Sequence, residues 1–259
     1  MSEPGWRVIG ASVCGTSHER SGQPCQDAIH WRTAEGGLMV AAVADGAGMA
    51  ALAEVGSRLA AQRAVEALVA GLPEHGDASG FALTDDECRR LLTAAFAQAR
   101  DCVKTEADLR GASPRDLATT LTVALATADF VATAQIGDGA AIVGGAEGLL
   151  IALSTPTHGE YINETTFLTS DDAVETLAPV VWRGKADHVG ILSDGLQMVA
   201  LRMPDATPHA PFFAPLFRFV REAADDQGAC EDLVAFLRSP RVTARCDDDL
   251  TLLVATLIR

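Results

Sequence analysis

The chain has 259 residues, 48% of them hydrophobic, enough to bury one large core, and shows neither a disorder-like composition nor a collagen-like repeat. A formal net charge of -15 argues against nucleic acid as a partner, because phosphate backbones are held by clustered Lys and Arg. Residues 1–10 lack the basic start and apolar stretch of a signal peptide, and the apolar runs are too short to span a bilayer, so a cytoplasmic protein without membrane contact is expected.

In chain order, residues 6–13 read as a strand, followed by a polar, turn-rich stretch that places Asp27 on or just before the next strand. Residues 38–44 (LMVAAVA) are a buried-strand run ending in Asp45-Gly46. Helices are expected at about 50–70, stopped by Gly71, and at about 85–109, opened by Thr84 with Glu87 three residues later. Strands follow at 118–126, 130–136, 140–143 and 149–153, with tight turns at Ala128-Asp129 and Asp138-Gly139 that predict an antiparallel meander. Residues 154–187 are polar and irregular, with short strand candidates at 161–168 and 179–182, and are the best place for a loop or lid over a site. A strand at 189–192 ending in Ser193-Asp194-Gly195, helices at about 211–224 and 230–237, and a final strand at 250–258 complete the series. Blocks of antiparallel strands separated by helix pairs favour an α+β layered fold in one domain, 1–259. Six cysteines without a CxxC pair read as reduced thiols, mostly packed inside.

Four apolar strands adjoin an aspartate, at Asp45, Asp138, Asp194 and Asp248. Side by side, such strands bring like charges together, and hard divalent cations with oxygen ligands relieve that repulsion. Each aspartate also has a plain explanation: a hairpin turn for Asp138-Gly139, a helix N-cap for Asp194, a solvated run for Asp247 to Asp249. Thr119 and Thr120 read equally well as β-branched strand residues. Cys246, beside the acidic run, reads as inert.

The pieces Gln26-Asp27-Ala28, Val43-Ala44-Asp45-Gly46-Ala47-Gly48, Ala118-Thr119-Thr120-Leu121, Ile136-Gly137-Asp138-Gly139, Leu192-Ser193-Asp194-Gly195 and Asp248-Asp249-Leu250-Thr251 together resemble the protein phosphatase 2C family of metal-dependent Ser/Thr protein phosphatases, in its short bacterial form. The resemblance implies a four-layer sandwich of two antiparallel β-sheets flanked by helix pairs. It implies two divalent cations, Mn2+ or Mg2+, and a third, weaker one. Asp45, the Gly46 carbonyl, Asp194 and Asp248 would be ligands, Asp27 would hold metal-bound water, and Asp138 would serve the third ion. The implied activity is hydrolysis of phosphoserine and phosphothreonine by a metal-bridging hydroxide, on a phosphoprotein shared with a cognate Ser/Thr kinase. Two departures stand out: Gly22 occupies the place of a phosphate-gripping Arg, leaving Arg20 as the nearest substitute, and Ala47 stands where some members have a proton-donating His, leaving His18 as a candidate acid. Asp249 stands where the family usually has Asn and is a candidate substrate-side residue. The competing functions are a non-catalytic binding module of the same fold and a phosphatase for a small phosphate ester.

Overall fold

The computed structural model describes residues 4–34, 36–73, 81–155 and 165–259. In chain order they form β1 (Gly5–Val13), α1 (Thr16–Ser21), β2 (Asp27–Ala34), β3 (Leu38–Asp45), α2 (Ala53–Gly71), α3 (Asp85–Arg110), β4 (Leu121–Ala126), β5 (Phe130–Ile136), β6 (Ala140–Gly145), β7 (Leu150–Ser154), β8 (Val180–Arg183) and β9 (Ala186–Leu192). They continue with α4 (Gln197–Ala200), β10 (Leu201–Arg202), β11 (Thr207–Pro208), α5 (Ala210–Glu222), α6 (Asp226–Leu237), α7 (Pro240–Thr243) and β12 (Leu250–Ile258).

Two five-stranded antiparallel sheets, ordered β2-β3-β4-β5-β8 and β1-β12-β9-β6-β7, pack face to face. The central strand β3 reads as an unbroken apolar run up to Asp45 because both of its faces are buried. Along β3, Leu38, Val40 and Ala42 face one core while Met39, Ala41 and Val43 face another, the alternation that period-two geometry dictates. Between the sheets lie Val43, Ala124, Ile191 and Leu253. The outer face of the first sheet is covered by α2 and α3 through Ala64, Leu68, Phe96 and Val103. The outer face of the second is covered by α5 and α6 through Phe213, Phe217, Leu233 and Leu237. The fold is therefore a four-layer α+β sandwich.

Both halves of the Thr84–Glu87 capping box are present at the start of α3. Several expectations need correction. The stretch between β1 and β2 contains α1, a six-residue helix with no apolar period to announce it. The meander is broken: β4–β5 and β6–β7 pair, but β5 and β6 belong to different sheets, so Asp138-Gly139 carries the chain across the sandwich rather than closing a hairpin. Of the strand candidate at 161–168, residues 161–164 lie outside the described residues, and 165–168 form no strand. Within 154–187, Leu168, Ala173 and Val174 are buried in the first core, and β8 extends the first sheet. All six cysteines are free; Cys88 is buried and the other five are only half-buried. No helix among the described residues is long and apolar enough to cross a membrane.

Candidate metal centre

Register decides where the carboxylates go. The β2–β3 pairing sets Asp27 opposite Asp45, at the end of two strands whose remaining residues are committed to the sheet. On the second sheet, Leu192 of β9 pairs with Ala140 of β6 on one side and Leu252 of β12 on the other. That juxtaposition draws the crossover carrying Asp138, the turn that opens at Asp194 and the lead into β12 to the same end of the sandwich. One carboxylate oxygen from each of Asp45, Asp138 and Asp194 lies within 4.8 Å of the others.

Burial and crowding shape the electrostatics. Loss of water, with Asp27 and Asp194 as near anions, holds the Asp45 carboxyl well above the ordinary range. Burial likewise pushes Asp27 up to about 7 and Asp194 up to about 6. Asp27 Oδ2 accepts a hydrogen bond of 2.7 Å from Ser193 Oγ, whereas Asp27 Oδ1 is buried with no partner. An orphaned buried oxygen beside three crowded carboxylates is an all-oxygen donor set, and it fits hard divalent cations such as Mg2+ or Mn2+.

The supporting residues fix the backbone of Asp45. Thr120 Oγ1 accepts from Asp45 N at 3.1 Å, Thr120 N donates to Asp45 O at 2.7 Å, and Thr119 Oγ1 donates to Asp45 O at 2.9 Å. The two threonines, ambiguous in sequence, thus clamp the backbone that carries the central carboxylate. Gly46 has no room for a side chain: a Cβ there would stand 2.8 Å from Ala53 O and from Gln26 O. Gly195 is tighter still, its Cβ position lying 2.1 Å from Asp249 O, so the Asp194 turn and the lead into β12 touch backbone to backbone.

Three further expected residues, Asp249, His18 and Arg20, are engaged with neighbouring chain. Asp249 is only 3% exposed and accepts from Gly15 N at 2.7 Å and Gln26 N at 2.6 Å, which makes it an anchor for the segment between β1 and β2. His18 is 8% exposed with Nδ1 3.0 Å from Asp249 Oδ1, a contact that ties it to the same segment. Arg20 is exposed, donates to Thr16 O and pairs with Asp247 at 3.3 Å. Asp248 is exposed at the mouth of the centre, and its charge helps raise Asp194. Burial pushes the Cys246 thiol up, in keeping with an inert group.

Sequence reasoning missed Ser193, Gln197 and Thr165. Gln197 Nε2 donates to Asp138 O at 2.8 Å and Thr165 Oγ1 donates to Asp138 Oδ2 at 3.1 Å. It also missed Arg115. Ala47, Met49, Arg115, Ala118 and Phe167 line a cavity of about 550 Å³. In it, Met49 is wholly exposed, and the exposed Arg115 guanidinium has no acidic partner among the described residues. The signal that could have found Arg115 is its place three residues before the Ala118-Thr119-Thr120-Leu121 piece.

Comparison with known proteins agrees with this geometry. Residues 14–238 match the family model for protein phosphatase 2C. The chain is 37% identical over 256 residues to serine/threonine-protein phosphatase 3 of Escherichia coli (strain K12), covering 96% of this chain and 98% of that one. Among solved structures, serine/threonine phosphatase Stp1 from Staphylococcus aureus superposes with a TM-score of 0.66 at 14% identity, covering 100% of this chain and 98% of the other. The catalytic domain of serine threonine protein phosphatase PstP, solved with two manganese ions, superposes with a TM-score of 0.59 at 17% identity, covering 99% and 100%.

Proposed function

The chain belongs to the protein phosphatase 2C family, and from that premise we propose that the aspartate cluster at the end of its sandwich is the catalytic centre of a metal-dependent Ser/Thr phosphoprotein phosphatase. The observation that carries the assignment is the convergence of Asp45, Asp138 and Asp194 within 4.8 Å. Asp45, the Gly46 carbonyl, Asp194 and Asp248 would hold two divalent cations, with Asp138 serving a third and Asp27 orienting coordinated water. When bound, such cations neutralise phosphoryl oxygens and bring the pKa of a coordinated water toward neutrality.

The protein's own part is positioning. Thr119 and Thr120 fix Asp45, Ser193 fixes Asp27, and Gln197 and Thr165 fix Asp138, so the carboxylates need little reorganisation as charge develops on phosphorus. We assign Arg115 to the substrate side. Its guanidinium, without an acidic partner among the described residues, borders the cavity lined by Ala47 and Ala118, where it would meet chain flanking the phosphorylated residue. An open cavity running along the Ala47 to Ala50 segment has room for chain flanking the phosphorylated residue, which favours a phosphoprotein over a small ester. Nothing among the described residues favours the non-catalytic module. A cytoplasmic setting and a cognate Ser/Thr kinase rest on the family resemblance.

The test is phosphate release from a phosphothreonine peptide and from an aryl phosphate with Mn2+, Mg2+ or chelator, for wild type and Asp194→Ala. Metal-dependent turnover reduced roughly a thousandfold in the variant, about 4 kcal/mol of transition-state stabilisation, is expected. Turnover unaffected by chelator would contradict the proposal. Arg115→Ala is expected to raise KM for the peptide several-fold while leaving the aryl phosphate rate within about twofold. Equal effects on both substrates would remove Arg115 from peptide binding.

A further inference from the structure

We infer that Cys14, His18 and Asp249 form a second metal site, one that takes a softer divalent cation, zinc, and lies apart from the carboxylate centre. A ligand atom from each of the three lies within 4.8 Å of the others. Their chemistry differs from that of the aspartate cluster. A thiolate, an imidazole and a carboxylate together are zinc ligands, whereas an all-oxygen set suits Mg2+ or Mn2+.

The geometry is already close to what zinc requires. His18 Nδ1 stands 3.0 Å from Asp249 Oδ1. Two ligands each about 2.0–2.1 Å from a tetrahedral zinc would stand about 3.3 Å apart. The carboxylate is held in advance by the backbone N–H groups of Gly15 and Gln26, at 2.7 and 2.6 Å, so it cannot swing away. Gly15 is packed so tightly on the lead into β12 that a Cβ would lie 2.2 Å from the carbonyl carbon of Asp248, which keeps Cys14 and Asp249 together. Cys14 stands just before Gly15, the extended N-cap residue of α1, and His18 lies in the first turn of that helix. Access is through the thiol: Cys14 is half-buried while His18 and Asp249 are buried, and its Sγ makes a weak contact of 3.7 Å to Gln23 O.

Binding is a ligand exchange with no redox step. A zinc–sulfur bond replaces the Cys14 S–H bond and that proton goes to solvent. The imidazole coordinates through Nδ1 with its hydrogen on Nε2, Asp249 contributes Oδ1, and water completes the tetrahedron. Because Asp249 N donates to Asp248 Oδ1 at 2.8 Å, an occupied site ties the end of β1 and the first turn of α1 to the residue next to a carboxylate of the catalytic centre.

The experiment is a titration of the full chain with Co2+, a spectroscopic stand-in for zinc, in excess Mg2+, read by the sulfur-to-cobalt charge-transfer band. An ion in the aspartate cluster has no sulfur ligand and gives no such band. Wild type is expected to show the band saturating at one equivalent and bleached by one equivalent of Zn2+. Cys14→Ser should abolish it, Asp249→Asn should weaken binding at least tenfold, and Cys246→Ser should leave it unchanged. Cys14→Ser is also expected to keep wild-type metal-dependent hydrolysis, which separates loss of the ligand from loss of the fold. No band in wild type, a band that persists in Cys14→Ser, or one lost in Cys246→Ser would overturn the assignment.

Discussion

Thr120 shows how much a single hydroxyl can set at this centre. It is buried, and its Oγ1 is the acceptor for the N–H of Asp45. Thr120→Val keeps the shape but leaves that N–H unpaired, at a cost of about 1–2 kcal/mol in stability. Because the clamp positions the carboxylate, kcat is expected to fall about tenfold with KM little changed; a change confined to KM would contradict the positioning role. His188 carries a different consequence, toward the other end of the β6–β9 ladder from the carboxylate cluster. It stacks on Phe217 with ring centroids 4.3 Å apart and accepts from Arg221 at 3.2 Å. Burial, then the Arg221 charge, hold its pKa down to about 4, so the folded protein keeps it neutral while the unfolded chain protonates it near about 6.5. Its contribution to stability is therefore intact above about pH 6.5 and is lost as pH falls toward about 4. The thermal midpoint of His188→Asn should accordingly fall less than that of wild type between about pH 7 and pH 4.5, and equal falls would count against the assignment.

At the scale of elements, α2 reverses a familiar rule. Gly→Ala inside a helix ordinarily stabilises by about 1 kcal/mol. At Gly56, however, the new Cβ would stand 2.2 Å from the backbone oxygen of Leu117, so helix and loop must part. Gly56→Ala is expected to lower the stability by about 1–3 kcal/mol in denaturant titration, and a gain would contradict the close approach. The same scale explains what the sequence made legible. Runs such as 38–44 and 250–258 announced themselves as strands because two-sided burial leaves only buried threonines, Thr251 and Thr256, among their apolar residues, and the aspartates adjoining each run, Asp45 and Asp249, were visible for the same reason. Asp138-Gly139 misled because a local turn signal says nothing about which sheet the next strand joins; that is settled by the pairing of β6 with β9, about fifty residues away. Helix α1 was missed because its six residues have no apolar stripe and are tied down through His18 to Asp249, 231 positions along the chain. The three aspartates 247 to 249 look alike in sequence, yet Asp247 is 71% exposed at its side chain while Asp249 is buried as the chain enters β12.

Across the whole molecule, the sandwich brings its carboxylates together at an energetic cost that cations offset. Asp27, Asp45 and Asp194 all have folded-state carboxyls raised above the ordinary range, with Asp27 at about 7 and Asp194 at about 6. Groups of this kind stabilise below the unfolded value, near about 4, and that stability is lost as pH rises through their folded values. The chelated protein should therefore become less stable between about pH 4 and pH 7 on their account. A cation at a hundred times its Kd restores about 2.7 kcal/mol. Mn2+ is accordingly expected to raise the thermal midpoint more at pH 8 than at pH 5.5, and Asp27→Asn should stabilise the chelated protein; a midpoint indifferent to metal at both pH values would contradict this. The most direct test of the central claim is the rate of phosphate release from a phosphothreonine peptide as a function of Mn2+ concentration, for wild type and Asp45→Asn. The account predicts saturable activation in wild type and a rate at least roughly a thousandfold lower in the variant at every Mn2+ concentration. A variant rate within about tenfold of wild type would contradict the placement of catalysis at this aspartate cluster.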